Sequence, residues 1–89
     1  MIYRKYGIEY SIGIYLGNDF RVRPEEFTPL VDKLVPAIER ISEVEEVRIV
    51  KDRVLIEVHD LDTKQEARDI QDRVHTAVVK LLEEIRNAE

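Results

Sequence analysis

The sequence predicts an α+β fold in which a three-stranded antiparallel sheet is covered on one face by two helices. Two observations support this prediction. Apolar and polar residues alternate over residues 2–16 and again over residues 47–58, as in strands with one buried face. Between and after these runs, apolar residues recur every three or four positions, as in amphipathic helices. The predicted order is therefore βαββα, in a single domain over residues 1–89.

The first predicted strand covers residues 2–16. Its even positions are mostly apolar and its odd positions mostly polar or glycine, so we expect one face to lie against the core. Gly13 leaves the other face bare and allows another backbone to come close. The Gly-Asn-Asp sequence at residues 17–19 favours a turn and is expected to end the strand.

The first predicted helix starts at Pro24. Proline suits a first helical turn, and the acidic residues at positions 25 and 26 favour the positive end of the helix dipole. As an alternative, Thr28 could cap a fresh helix start at Pro29. The residues predicted to face the core are Phe27, Leu30, Val31, Leu34, Ile38 and Ile41.

A β-hairpin is predicted for residues 47–58. If residues 51–52 form a two-residue loop, Ile49 faces Val54 and one apolar face runs along both strands. The same register places Glu46 opposite Glu57, which is unfavourable, and Lys-Asp is a poor sequence for such a tight turn. A longer loop is therefore an alternative.

The second predicted helix follows Thr63. The sequence Thr63-Lys-Gln-Glu66 predicts a capping box, in which the threonine and glutamate side chains each bind the backbone amide of the other. The predicted buried stripe consists of Ala67, Ile70, Val74, Ala77, Val78, Leu81, Leu82 and Ile85.

The first strand is the predicted interaction surface. In the four-stranded ferredoxin-like arrangement a last strand covers its outer side, and because no strand pattern follows the second helix, we expect the first strand to be an edge. Its few charges favour pairing with another chain. Proline at Ile12 is then expected to abolish pairing. The predicted interface residues are Ile8, Tyr10, Ile12, Ile14 and Leu16.

Composition argues against several classes of function. The chain has no cysteine, which excludes disulfides and thiolate chemistry, and its net charge of −5 disfavours a free-standing nucleic-acid-binding protein. No segment has the length and hydropathy of a membrane span or a signal peptide, so a cytoplasmic protein is expected. The high charge of both signs is typical of thermophiles.

No pattern of residues predicts an enzyme, a metal site or a cofactor. His59, Asp60 and Asp62 are the nearest approach to a metal cluster, but their spacing matches no ligand motif. A strand end followed by a helix start explains these residues structurally. The hydroxyl residues have no histidine nearby in the sequence that could act as a base. We therefore expect a non-catalytic protein without a cofactor.

The C-terminal half resembles a known family. Residues 54–63 (VLIEVHDLDT), the Ala67-Arg68 pair and the LLEEI sequence at residues 81–85 resemble the small dimerisation subunit of the archaeal KEOPS complex, and more closely its diverged paralogue, a fifth, accessory subunit. That complex makes threonylcarbamoyladenosine (t6A) on tRNA. The resemblance places Arg68 at a polar position typical of the family, whereas the asparagine expected about one turn later is replaced by Gln71 and Asp72.

The resemblance implies a partner for the strand edge. This partner would be a homologous small subunit in a heterodimer, with self-pairing in a homodimer as the alternative. The helices could also pack against the catalytic ATP-binding subunit, and tRNA would be contacted only through the assembly. The competing hypothesis is a ligand-sensing or oligomerising regulatory module of ferredoxin-like type.

Overall fold

A computed structural model of the chain describes residues 8–88. Within this range the strands form one antiparallel sheet in the order β1-β3-β2, so β3 is central and β1 and β2 are edges. The predicted α+β class and three-stranded sheet are confirmed, while residues 2–7 of the predicted first strand lie outside the described residues. The elements are β1 (Ile8–Tyr15), α1 (Leu16–Phe20), α2 (Pro24–Glu39), β2 (Val44–Val50), β3 (Arg53–Leu61) and α3 (Lys64–Asn87).

The hydrophobic core lies between the sheet and the two long helices. The helix α3 packs over β1 and β3, and α2 packs beside it over β2. The strands contribute alternate residues to this core, and the helices contribute the predicted stripes. The fully buried aliphatic side chains are Leu16, Leu30, Leu34, Ile38, Val54, Ile56, Val58, Leu61, Val74 and Val78.

Across residues 8–88, none of the helices has the length and hydropathy needed to cross a lipid bilayer.

The first strand ends one residue earlier than predicted, and a short helix replaces the predicted turn. Leu16 begins α1, its side chain is fully buried, and its amide donates to the Asp52 carbonyl at 2.8 Å. Arg21 then adopts a left-handed conformation with φ 54° and ends the helix. The buried leucine and its bond to the hairpin loop explain why the chain folds back here.

The helix α2 starts at Pro24 as predicted and runs without interruption to Glu39. It contains Pro29, so the alternative of a fresh start at that residue does not occur. A proline in this position removes one helical hydrogen bond. Burial of Leu30, Leu34 and Ile38 on one face of the same helix offsets that loss.

The hairpin has the two-residue loop and the register predicted from the sequence. Val50 lies opposite Arg53, and Ile49 lies opposite Val54. Glu46 does lie opposite Glu57, and Arg48 on the same face contacts both carboxylates, at 3.3 and 3.7 Å. This shared cation reduces the repulsion that made a longer loop an alternative.

The loop itself is strained at Lys51, which has a positive φ of 57°. Replacing Lys51 with glycine is expected to raise the free energy of unfolding by roughly 0.5–1 kcal/mol, because glycine adopts this conformation without a Cβ clash. Urea denaturation measures the change. Asp52→Gly is the matched control, since within residues 8–88 the loop's positive φ is confined to Lys51. An equal gain from both substitutions would contradict this assignment of strain.

The predicted capping box at the start of α3 is wrong in its detail. Thr63 is the N-cap residue, but its side chain makes no capping hydrogen bond. The Glu66 carboxylate instead accepts the amide of Asp62 at 2.9 Å, one residue further back than the capping box requires. The predicted buried stripe of this helix is confirmed.

A buried carboxylate links the ends of the two long helices. Glu26 in the first turn of α2 is only 1% exposed, although its position in the sequence suggested a solvated helix start. The guanidinium of Arg86, near the end of α3, donates two hydrogen bonds to this carboxylate, at 2.8 and 3.0 Å. The Arg23 amide and guanidinium donate to the same carboxylate at 3.0 and 3.2 Å.

These hydrogen bonds lower the pKa of Glu26 to about 2. The Arg86 guanidinium has the largest effect, followed by the Arg23 amide, and together with the Arg23 side chain they outweigh the opposing effect of burial. The carboxylate is therefore charged at neutral pH. It forms an electrostatic link between α2 and α3 on the side of the molecule where α1 ends.

Candidate interaction surface at the β1 edge

The strand β1 presents an unpaired edge. It pairs with β3 on one side, and within residues 8–88 no strand pairs with its other side. The second edge, β2, differs because it contains Glu45, Glu46 and Arg48, whereas residues 10–15 of β1 carry no charge. Charged residues on an edge strand oppose pairing with another chain. Of the two edges, β1 is therefore the better suited to accept a partner strand.

The register shows which backbone groups of β1 point outward. Val50 and Arg53 close a two-residue hairpin, so the amides of Arg53 and of alternate residues after it face β2, and those between them face β1. The His59 amide, which donates to the Glu43 carbonyl beside β2, follows this alternation. Through the β1–β3 register, the outward amides and carbonyls of β1 belong to Ser11, Gly13 and Tyr15.

The structure places the side chains of most of the even-numbered residues predicted as the interface in the core. Ile12 and Ile14 are 6% and 4% exposed, and Leu16 is fully buried in α1, so their side chains hold the strand against the core. Tyr10 is half-buried against the same core, and Ile8 is the first residue of β1. The backbone amides and carbonyls of those residues that pair in the β1–β3 register face β3 and not the open edge.

This orientation changes the meaning of a proline at Ile12. Such a substitution would remove an amide that faces β3 together with a core side chain, so it would destabilise the fold itself. Pairing lost in this variant would therefore say nothing about the edge. The suitable position is Ser11, whose amide faces outward and whose side chain is exposed.

A groove runs along the edge on the helix-covered side of the sheet. It encloses about 270 Å³ between the middle of β1 and the first turns of α3. Arg68, the position matched by the family resemblance, is one of its walls. The lining residues are Tyr10, Ser11, Ile12 and Gly13 from β1 and Lys64, Ala67, Arg68 and Gln71 from α3.

The groove is basic although the chain as a whole is acidic. Lys64 and Arg68 lie four residues apart on α3, and both are exposed. Among residues 8–88, no carboxylate lies within 4.0 Å of either cation. The acidic residues Asp69 and Asp72 belong to the same helix but do not line the groove. Among the residues that the structure describes, the only charged side chains that line it are therefore positive.

The other face of the sheet, which the helices leave uncovered, is partly apolar. Tyr15 is 42% exposed, and its hydroxyl accepts a 3.3 Å hydrogen bond from the Arg53 guanidinium, which also lies 5.5 Å from the ring centre. Leu55 lies against Gly13, where a Cβ would be 3.7 Å from its side chain. On this face Gly13 adds no side chain of its own, and the Leu55 side chain of β3 lies beside it.

The acidic residues at the end of the hairpin border an open cavity, together with His59. His59 Nδ1 lies 3.2 Å from Asp60 Oδ2, and Asp60 adopts a left-handed φ of 59° where β3 bends toward α3. Asp62 and Glu66 line the same open cavity of about 290 Å³. No group of three or more metal-binding side chains comes together anywhere in residues 8–88.

Two parts of this surface were missed from the sequence. Lys64 was missed, although with Arg68 and Gln71 it forms a polar series at positions i, i+4 and i+7 along one side of a helix. The outward amides were missed because their direction depends on the three-strand register.

Comparison with family models, with curated proteins and with solved structures finds no match.

Proposed function

We propose that this chain is a non-catalytic assembly subunit whose β1 edge pairs with a strand of a second protein chain. The supporting observation is the edge itself, in which the outward amides and carbonyls of Ser11, Gly13 and Tyr15 lie in a segment without charged residues. Backbone groups of this kind provide affinity in strand addition, and the adjacent side chains provide specificity.

The packing of the chain also favours an added strand. A partner strand would lie about 4.8 Å from β1 and extend the core-facing side of the sheet. Apolar side chains of the partner strand would then cover Tyr10, Ile12 and Ala67, which line the groove. Additional burial is a substantial gain for a chain of 89 residues, because small domains bury a smaller fraction of their surface.

The resemblance within residues 54–85 and the position of Arg68 give this proposal its specific form. The partner is a related small subunit, and the pair supports t6A modification of tRNA within the cytoplasmic KEOPS complex. In this role the chain contributes no catalytic residue, and contact with the catalytic ATP-binding subunit or with tRNA is made through the assembly. Pairing with a second copy is the alternative.

The test is association measured together with backbone protection. Sedimentation velocity of the chain alone, and of its mixture with the small KEOPS subunit from the same host, is expected to show a two-chain complex. Hydrogen exchange on the complex should gain protection at the outward amides of residues 11, 13 and 15. A monomer at high concentration that also remains free in the mixture would contradict the proposal. A complex in which β2 gains protection instead would place the interface on the other edge of the sheet and contradict the proposal.

A further inference from the structure

We propose that Lys64 and Arg68 make the β1 edge select an acidic partner, one that places carboxylates in the groove beside the strand, in preference to a second copy of this chain. This inference rests on the proposed edge pairing and adds the chemistry of the partner. It is supported by the position of two exposed cations, without carboxylates within 4.0 Å in residues 8–88, next to the least charged sheet edge.

The groove is where a partner's helix-side residues must lie. Tyr10 and Ile12 on its floor point to the core side of the sheet, and Lys64, Arg68 and Gln71 form its α3 wall. A strand added to β1 therefore projects every second side chain toward this wall. Any helix of the partner that packs on those side chains lies next to the wall as well. Carboxylates at that place would form salt bridges with both cations.

Self-pairing brings like charges together. An antiparallel pair of β1 strands has two-fold symmetry, so each residue near the seam faces its own counterpart or a close neighbour. Lys64 and Arg68 of one copy would then approach the same two cations of the other, and none of the described residues that line the groove has a carboxylate to balance them. Juxtaposed like charges are a common device for suppressing a wrong partner.

Acidic residues elsewhere on the chain do not remove this repulsion. On β1 the nearest is Glu9, which is exposed but does not line the groove. The seven residues that precede Ile8 contain no Asp or Glu at all. The charge of −5 is thus distributed over other surfaces, and it disfavours nucleic acid as the occupant of the groove.

The chain itself supplies the probe for the experiment. The double variant K64E/R68E has the acidic groove that the proposal assigns to a partner, and thermal unfolding checks that it folds. Wild type and variant are each expected to self-associate weakly. Their equimolar mixture should associate about tenfold more tightly, since several exposed ion pairs replace repulsion. The gain should disappear at about 1 M salt, where the Debye length is about 3 Å.

A matched control changes the same charge elsewhere. K33E/R40E alters two exposed cations that do not line the groove, one in α2 and one immediately after it, and its mixture with wild type is expected to show no gain. A K64E/R68E mixture no tighter than wild type alone would overturn the selection of an acidic partner. If that weak association still protects residues 11, 13 and 15, edge pairing survives. Binding of a short single-stranded RNA that is lost in K64E/R68E, with no gain on mixing, would overturn the proposal in favour of a nucleic-acid site.

Discussion

Ser11→Pro is expected to weaken pairing through β1 strongly while leaving the domain folded. The Ser11 amide faces away from β3, and its side chain is exposed on the uncovered face of the sheet. Proline removes this donor and places its ring where the carbonyl of a partner strand would lie. An unpaired carbonyl in the new interface costs roughly 1–3 kcal/mol, which corresponds to about a 5- to 160-fold weaker association.

The measurement is the dissociation constant of the two-chain complex, with circular dichroism and thermal unfolding of the separate chain to establish the fold. Ser11→Ala is the matched control, because it removes the hydroxyl but keeps the amide, and it should pair as wild type does. Ile12→Pro should instead lower the unfolding temperature, since it affects the bond to β3 and the core. Undiminished association of a folded Ser11→Pro chain would exclude β1 as the interface.

The parts of the fold that depend on alternation could be predicted from the sequence. Apolar residues on alternate positions around Lys51 and Asp52 leave one register in which both strands bury the same face, and the structure has that register. The short helix α1 could not be predicted in this way. Leu16 is apolar on an even position and therefore fits a continued strand as well as it fits the buried start of a helix.

The open edge of the sheet could be predicted from the sequence, but the orientation of its residues could not. The pattern of β1 identified an edge strand, yet the same pattern drew attention to Ile12 and Ile14, which are buried because they are apolar. The groups available to a partner are backbone groups, which have no signature in the sequence. Lys64 and Arg68 were visible as a pair on one helix face, but only the sheet order shows that this face borders the open edge.

Glu26 illustrates a second limit of sequence reasoning. An acidic residue in the first turn of a helix has a sufficient local explanation in the helix dipole, and nothing nearby in the sequence suggests that it is buried. Its principal partner, Arg86, lies sixty residues further along the chain. Only the packing of α3 against α2 brings the two together, so the contact that lowers the pKa of Glu26 most is a tertiary one.

Glu26→Gln is expected to cause a large loss of thermal stability at neutral pH. The substitution removes the negative charge that Arg86 and Arg23 both contact, and it leaves two guanidinium groups at one helix junction without their shared anion. Glu25→Gln is the matched control, since its side chain is 62% exposed and lies 3.7 Å from Arg23. Its unfolding temperature should stay close to that of wild type.

The pH dependence distinguishes the charge of Glu26 from its packing. The pKa of the folded state, about 2, lies below the ordinary value of 4.5, so the carboxylate stabilises the fold fully above pH 4.5. This contribution is lost as the pH falls from 4.5 toward 2, because the carboxylate then binds a proton in both states. The difference in unfolding temperature between wild type and Glu26→Gln should therefore be constant near neutrality and shrink over that acidic range. A difference that persists unchanged as the pH falls below the folded-state pKa of about 2 would assign the effect of Glu26 to its shape and packing. Under that condition most of the Glu26 side chains are protonated, so the charge is largely absent from both proteins.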